Sequence, residues 1–310
     1  MKQILKIISI FILASCQTLG FNQEDPNGPV KLDLNYESFM SESWTNKAEI
    51  PLINFNFFDE NIESEMFFDL NGTTVFAVNK NQLVLTNYDS GQILKNFELE
   101  TSRIISGVSV GYNTFLYADA DGIIYAHDSN SGELKWTKAL EDVVLSEILI
   151  TSTAVYVQTS SDVLYGLDLQ NGETQWSKKA QAPLLSIRGT ASPITFEGLI
   201  FTSFSNGRLA AVREVDGIQL WEKPISRLKG STELEKLMDA DSKAVPINED
   251  IFVANYNGSL TRFNIRNGEK VFSVDHSTLK PIILYKSTIT SINTDQEIIG
   301  FNAINGTEIW

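Results

Sequence analysis

Serine, carboxylate and imidazole side chains are where chemistry would be sought first, and each occurs here in a pattern that falls short of a site. Gly107-Val108-Ser109-Val110-Gly111 has the Gly-x-Ser-x-Gly spacing of a nucleophile elbow, a motif that needs a strand-to-helix turn to expose its serine. Here the five residues lie in a run that reads as an inner strand, where small residues let neighbouring sheets approach. Asp119-Ala120-Asp121-Gly122 offers the first carboxylates of a calcium loop without the later ligands, and reads as a hairpin turn with an acidic start. His127 and His276 are the only histidines. They are far apart, lack metal-ligand spacing, and are expected on strands or at the surface. No catalytic residue, metal ligand or cofactor-binding residue is assigned.

What organises the chain is a repeat. Val163 to Trp176 reads VLYGLDLQNGETQW: an alternating run, an Asn-Gly turn, then a second run closed by Trp. Tyr165, Leu167 and Leu169 share one face of an extended strand, because side chains alternate with period two. Asn171-Gly172 is expected to supply the positive φ of a tight hairpin turn. The same turn and closing aromatic recur at Phe97, Trp136, Trp176, Trp221, Phe272 and Trp310, spaced 39, 40, 45, 51 and 38 residues apart. A period near 40 with about four strands per unit is the signature of a β-propeller blade. The fold class is therefore all-β, a propeller of four-stranded blades, in which stacking blades buries the faces that one sheet leaves open. In the second blade the spacing predicts strands at 104–110, 114–118, 123–127 and 134–138. In the fourth it predicts 191–195, 199–204, 208–212 and 218–222, and in the fifth 251–255, 259–263 and 270–274.

Around the repeat lie segments of other kinds. Residues 1–15 read as a signal peptide: Lys2 and Lys6 precede a short apolar core, too short to span a bilayer. Leu13-Ala14-Ser15-Cys16 resembles a lipobox, which implies that Cys16 is lipidated. As the single cysteine, it excludes an intrachain disulfide. Residues 16–35 form a flexible tether, and 36–310 the propeller. Trp44 is expected on a lone outer strand that closes the ring. Residues 231–239 show helical spacing with a capping box at Thr232 and Glu235, giving one short helix in an enlarged loop. A net charge of −15 argues against nucleic acid, whose binding rests on cations, and against anionic lipid surfaces.

Gly166, Asp168, Gly172 and Trp176 match the quinoprotein repeat. Quinoprotein dehydrogenases flank their cofactor with paired cysteines, which this chain lacks, so the match is read as structural: glycine for conformation, Trp for packing between blades. Two stretches stand outside the repeat: residues 183–193, PLLSIRGTASP, and residues 229–241, KGSTELEKLMDAD. Together they resemble the BamB family of outer-membrane assembly lipoproteins, with Ile187 where Leu is usual and Ala240 where Val is usual. The resemblance implies eight blades, of which about six are present, so the ring is expected to be incomplete and the reading frame to run about 80 residues past Trp310. It implies a non-enzymatic scaffold without cofactor, anchored in the outer membrane on the periplasmic side. The implied partners are the periplasmic domains of BamA, other assembly subunits and unfolded outer-membrane proteins. Both stretches follow outer strands of adjacent blades, so both lie on one face of the ring. Leu185, Ile187, Arg188, Asp239 and Asp241 are the candidate partner-binding residues. An internal Arg188–carboxylate staple is the competing reading of that cluster. A periplasmic quinoprotein-like enzyme and a sugar- or peptide-binding propeller are the competing functions.

Overall fold

The computed structural model describes residues 67–310, apart from positions 80, 100, 102, 182–190 and 227–241. All regular structure among the described residues is β-strand. The first sheet holds β1 (Phe67–Asn71), β2 (Thr74–Asn79), β3 (Gln82–Asn87) and β4 (Ile93–Glu98). The second holds β5 (Ile104–Gly111), β6 (Thr114–Asp119), β7 (Ile123–Asp128) and β8 (Leu134–Ala139). The third holds β9 (Leu149–Ile150), β10 (Ala154–Gln158), β11 (Val163–Asp168) and β12 (Thr174–Lys179). The fourth holds β13 (Ile194–Phe196), β14 (Leu199–Phe204), β15 (Arg208–Arg213) and β16 (Gln219–Pro224). The fifth holds β17 (Val245–Ile247), β18 (Asp250–Ala254), β19 (Ser259–Asn264) and β20 (Lys270–Asp275). The sixth holds β21 (Ile283–Tyr285), β22 (Thr288–Ile292) and β23 (Ile298–Asn302). Each is an antiparallel meander in chain order, the blade of a β-propeller. We call them blades A to F.

Each junction between successive blades has its own apolar core. Leu116, Ile124 and Trp136 of blade B, for example, pack with Val155, Leu167 and Leu169 of blade C, and Tyr165 lies half-buried against them. The other four junctions repeat this arrangement. The expected strands appear within one or two residues, except that the inner strand of blade D begins at Ile194 rather than at position 191. In blade F a single bridge, Phe301↔Glu308, stands where a full outer strand through Trp310 was expected. The segments expected to hold Trp44 and the short helix lie outside the described residues.

The hairpin turn is wider than a two-residue Asn-Gly turn. The Asp168 amide donates to Glu173 O at 2.8 Å and the Gly172 amide to Asp168 O at 2.9 Å. The Asp168 carboxylate accepts the amides of Gln170 and Asn171 at 2.8 and 3.2 Å. This Asx turn holds Asn171 in an ordinary conformation, and Gly172 alone takes the positive φ, 71°.

Gly172 also meets the neighbouring blade. A Cβ there would lie 2.6 Å from Trp136 Cε3, because the indole of blade B lies flat on the turn of blade C. Gly217 meets Trp176, Gly268 meets Trp221 and Gly306 meets Phe272 in the same way. In blade A the residue four places after the turn glycine, the Trp position elsewhere, is Lys95. Phe97 stands two residues later, on the same face of the strand, and its ring still reaches Gly132. Each indole of blades B, C and D donates its N–H to a carbonyl of the next blade: Trp136 to Leu169 O at 2.9 Å, Trp176 to Glu214 O at 3.1 Å, and Trp221 to Ile265 O at 2.8 Å.

A phenyl ring cannot donate, and at both Phe junctions a cation does so instead. Lys95 Nζ donates to Asn130 O. Arg262 Nη1 donates to Ala303 O at 3.1 Å and Ile304 O at 2.9 Å, while its Nη2 holds Asp250 at 2.6 Å.

Two glycines separate the contributions of backbone and packing. Gly198, φ 76°, has open space where a Cβ would go, so Gly198→Ala should cost only the left-handed backbone penalty, about 1–2 kcal/mol. Gly172→Ala should cost more, because Trp136 must also be displaced. Urea unfolding of the two variants checks the order, and equal losses would show that the stack contributes nothing.

Candidate functional site

The two stretches outside the repeat are connections from an outer strand to the next inner strand: β12 to β13 and β16 to β17. Leu185, Ile187, Arg188, Asp239 and Asp241 lie on these connections, outside the described residues, as does Cys16. The described ends of both connections are fixed. In an antiparallel meander, the connection after the outer strand emerges on the same face as the turn between the second and third strands. Hydrogen bonds record this. The Ala180 amide donates to Asp162 O at 3.0 Å and the Ile225 amide to Gly207 O at 3.0 Å. Asn206, on the β14–β15 turn, donates through Nδ2 to Gln181 O at 3.0 Å.

At the inner edge of this face the described returning ends of the connections come together. An open cleft of about 200 Å³ is lined by Asp69, Ser109, Glu147, Ser192, Pro193 and Lys243, together with apolar side chains of β5 and β9. Ser192 and Pro193 end the first stretch, and Lys243 lies two residues past the second. The Glu147 amide donates to Ser192 Oγ at 3.2 Å, and Lys243 Nζ donates to Glu147 Oε2 at 2.8 Å. Ser109, the centre of the Gly-x-Ser-x-Gly match, lies on β5 and accepts the Ile148 amide at 3.1 Å. It joins two blades, and no helix follows its strand among the described residues.

The remaining sequence candidates have local partners. Asp119 takes the amides of Asp121 and Ile123 on one oxygen, both at 3.0 Å, and the hydroxyls of Thr101 and Tyr125 on the other. That is a hairpin turn. No cluster of metal-ligating side chains occurs among the described residues. His127 lies on β7, one of the two expected settings, and His276 directly follows β20; both are buried rather than at the surface. The His127 ring stacks on Phe115 with centroids 4.8 Å apart, and its nitrogens meet Tyr117 Oη and Gly132 O. His276 Nε2 meets Ser291 Oγ at 2.8 Å. Burial pushes both imidazoles below their ordinary pKa. They fill blade junctions as neutral rings.

Asp162, like Asp119, is a buried carboxylate at a turn of this face. Ser205 reaches it from the next blade through both its amide and its hydroxyl, and Gln158 Nε2 adds a contact at 3.4 Å. Burial nevertheless outweighs these bonds and pushes its pKa above the ordinary carboxylate value.

Fold and site together define a β-propeller of quinoprotein-like repeats in which the described returning ends of two non-repeating connections, Ser192, Pro193 and Lys243, share one cleft. The sequence matches the family model described as outer membrane protein assembly factor BamB over residues 79–310, and the chain belongs to that family. The BamB of Yersinia pestis is 25% identical over 250 residues, 77% of this chain and 64% of that protein. The chain thus spans a little under two thirds of that relative. The crystal structure of BamB from Moraxella catarrhalis superposes with a TM-score of 0.72 at 24% identity, covering 78% of this chain and 74% of the other. The quinohemoprotein alcohol dehydrogenase of Comamonas testosteroni shares the fold at a TM-score of 0.56 and 15% identity, over 67% of this chain and 42% of that one.

Sequence reasoning did not single out Glu147 or Lys243. Their signal was positional: each stands two residues ahead of the first residue of an inner strand, as Ser192 does.

Asp162 gives a pH test. Its raised folded-state pKa means that the protonated form is favoured in the fold. That stability is fully present below the unfolded-state pKa and is lost as pH rises through the folded-state pKa. Asn accepts the left-handed conformation that Asp162 adopts, φ 59°. Asp162→Asn should therefore melt above the wild type at pH 7 and level with it near pH 4. Thermal melts across that range check the sign.

Proposed function

We propose that this chain is a non-enzymatic scaffold of the outer-membrane protein assembly machinery. It docks through the face that carries the two non-repeating connections. The observation that carries the reading is the convergence of Ser192, Pro193 and Lys243 in one cleft, since Ser192 and Pro193 end the first, and Lys243 lies just past the second, of the two stretches that the repeat does not require. Leu185 and Ile187 would fill an apolar groove on the partner. Arg188 would make a charge-assisted contact there, its planar fork setting geometry as well as charge. Asp239 and Asp241 would hold Arg188 or meet a partner cation. The proposed partner is BamA, through its periplasmic domains, with other assembly subunits and unfolded outer-membrane proteins as further contacts. Family membership supports the assembly role. Cys16 would carry lipid and hold the propeller at the periplasmic side of the outer membrane.

An enzymatic quinoprotein-like propeller has the likeness to the dehydrogenase fold in its favour. It requires a bound chromophore, so an absorption spectrum of the purified protein separates the two.

Loss of a central interface anchor commonly costs about 2 kcal/mol or more, which is roughly thirty-fold in affinity. Arg188→Ala and Asp241→Ala should each weaken binding to the BamA periplasmic domains by about that factor, with melting unchanged. A lowered melting temperature with unchanged affinity of the folded fraction would instead identify an internal staple. Cys16→Ala should release the protein into the soluble periplasmic fraction, as read by cell fractionation; retention on the membrane would remove the anchor from the proposal.

A further inference from the structure

Glu147, Ser192 and Lys243 occupy one repeat position in three consecutive blades, C, D and E, each two residues ahead of its inner strand. In that position they meet. Ser192 Oγ accepts the amide of Glu147, and Lys243 reaches past blade D to the carboxylate of Glu147. The backbone of Glu147 is held on its other side, where the Ile148 amide donates to Ser109 Oγ of blade B. Pro193 restricts the chain directly after Ser192. The carboxylate is thus presented from a fixed backbone at the point where both non-repeating connections rejoin the propeller.

We infer that Glu147 and Lys243 are positioning residues for the docking surface: Glu147 holds Ser192 through its amide and Lys243 through its carboxylate, and so sets the separation between the ends of the two connections. This rests on the docking reading above. A role as a general strut fits less well. Both side chains are about half exposed, 57% and 47%, and ion pairs this open add little to global stability. The blades they join are already held by buried apolar junctions. What the pair can do is local: it fixes the relative position of two points that the repeat alone would leave free to vary. Its effect depends on opposite charges rather than on packing, so exchanging the charges should preserve it.

The test uses the full chain and three variants: Glu147→Gln, Lys243→Met, and the exchange Glu147→Lys with Lys243→Glu. Amide hydrogen exchange is followed in peptides covering 190–194 and 241–245, alongside melting and affinity for the BamA periplasmic domains. Both single variants should exchange several-fold faster in both peptides and bind about five-fold more weakly. Their melting temperature should not move. The exchanged pair should recover both values. Three results would overturn the inference: unchanged exchange in the single variants, a charge-exchanged pair as impaired as either single, or melting that falls in step with affinity. A wild-type chain that binds no BamA domain, with variants that show the expected exchange pattern, would overturn the docking reading while supporting the positioning role of the ion pair. Unchanged exchange in variants of a chain that does bind would overturn the positioning role alone.

Discussion

An aromatic ring laid on a bare glycine is the contact on which the propeller depends. One blade's outer strand presents the ring and the next blade's turn presents the glycine, so neither blade can complete the contact alone. The glycine is required twice over, by its positive φ and by the ring that occupies the space of a side chain. The indole then fixes the angle between blades, because its N–H must also reach a carbonyl of the neighbouring turn. Stacking and hydrogen bonding thereby set one geometry, and repetition along the chain turns that geometry into a curved array.

The exceptions show that the donor matters as much as the ring. Where Phe replaces Trp, the ring contact survives but the neighbouring carbonyl loses its partner. A buried acceptor without a donor costs about 1–3 kcal/mol. Arg262, across the strand pair from Phe272 on β19, removes that penalty by reaching Ala303 O, whereas Lys95, in the Trp place of β4, donates to the exposed carbonyl of Asn130, one residue past the equivalent acceptor. Arg262 also lies over the Phe252 ring at 5.8 Å and holds Asp250, so its charge is balanced within the blade. The junctions conserve a function, a ring plus a donor, and not a residue type.

Much of this was legible in the sequence because it is periodic. The blade count, the strand positions and the inter-blade role of Trp followed from alternation, turn glycines and a spacing near 40. What was not legible is what period cannot encode. The Asn-Gly pair suggested a two-residue turn, and the controlling residue proved to be Asp168, whose carboxylate widens the loop. Phe97 was counted with the other aromatics, although it stands two residues beyond the Trp position. The histidines were expected on strands or at the surface because a single sequence does not show which rings fill a junction. The candidate docking residues fall outside the described residues, and the structure reaches them only through their flanks.

Those flanks bring out a division of labour. From β5 onward each inner strand follows the outer strand of the preceding blade on the same face, and each connection must return the chain from rim to axis. Where it is short, as between β8 and β9, its side chains are used in closing the face: Asp142 takes the hydroxyls of Ser160 and Ser161 on the neighbouring turn. The connections β12–β13 and β16–β17 are longer and carry the two stretches that depart from the repeat. Blades C to E carry these two connections side by side, and their returning ends meet one residue at the inner rim, Ser192 at the amide of Glu147 and Lys243 at its carboxylate. Regular junctions can support irregular loops in this way because the ring contacts hold the blades independently of what the loops contain. What the propeller is seen to hold of those two loops is their described ends, Ala180, Gln181 and Ile225 where they leave and Ser192 and Lys243 where they return.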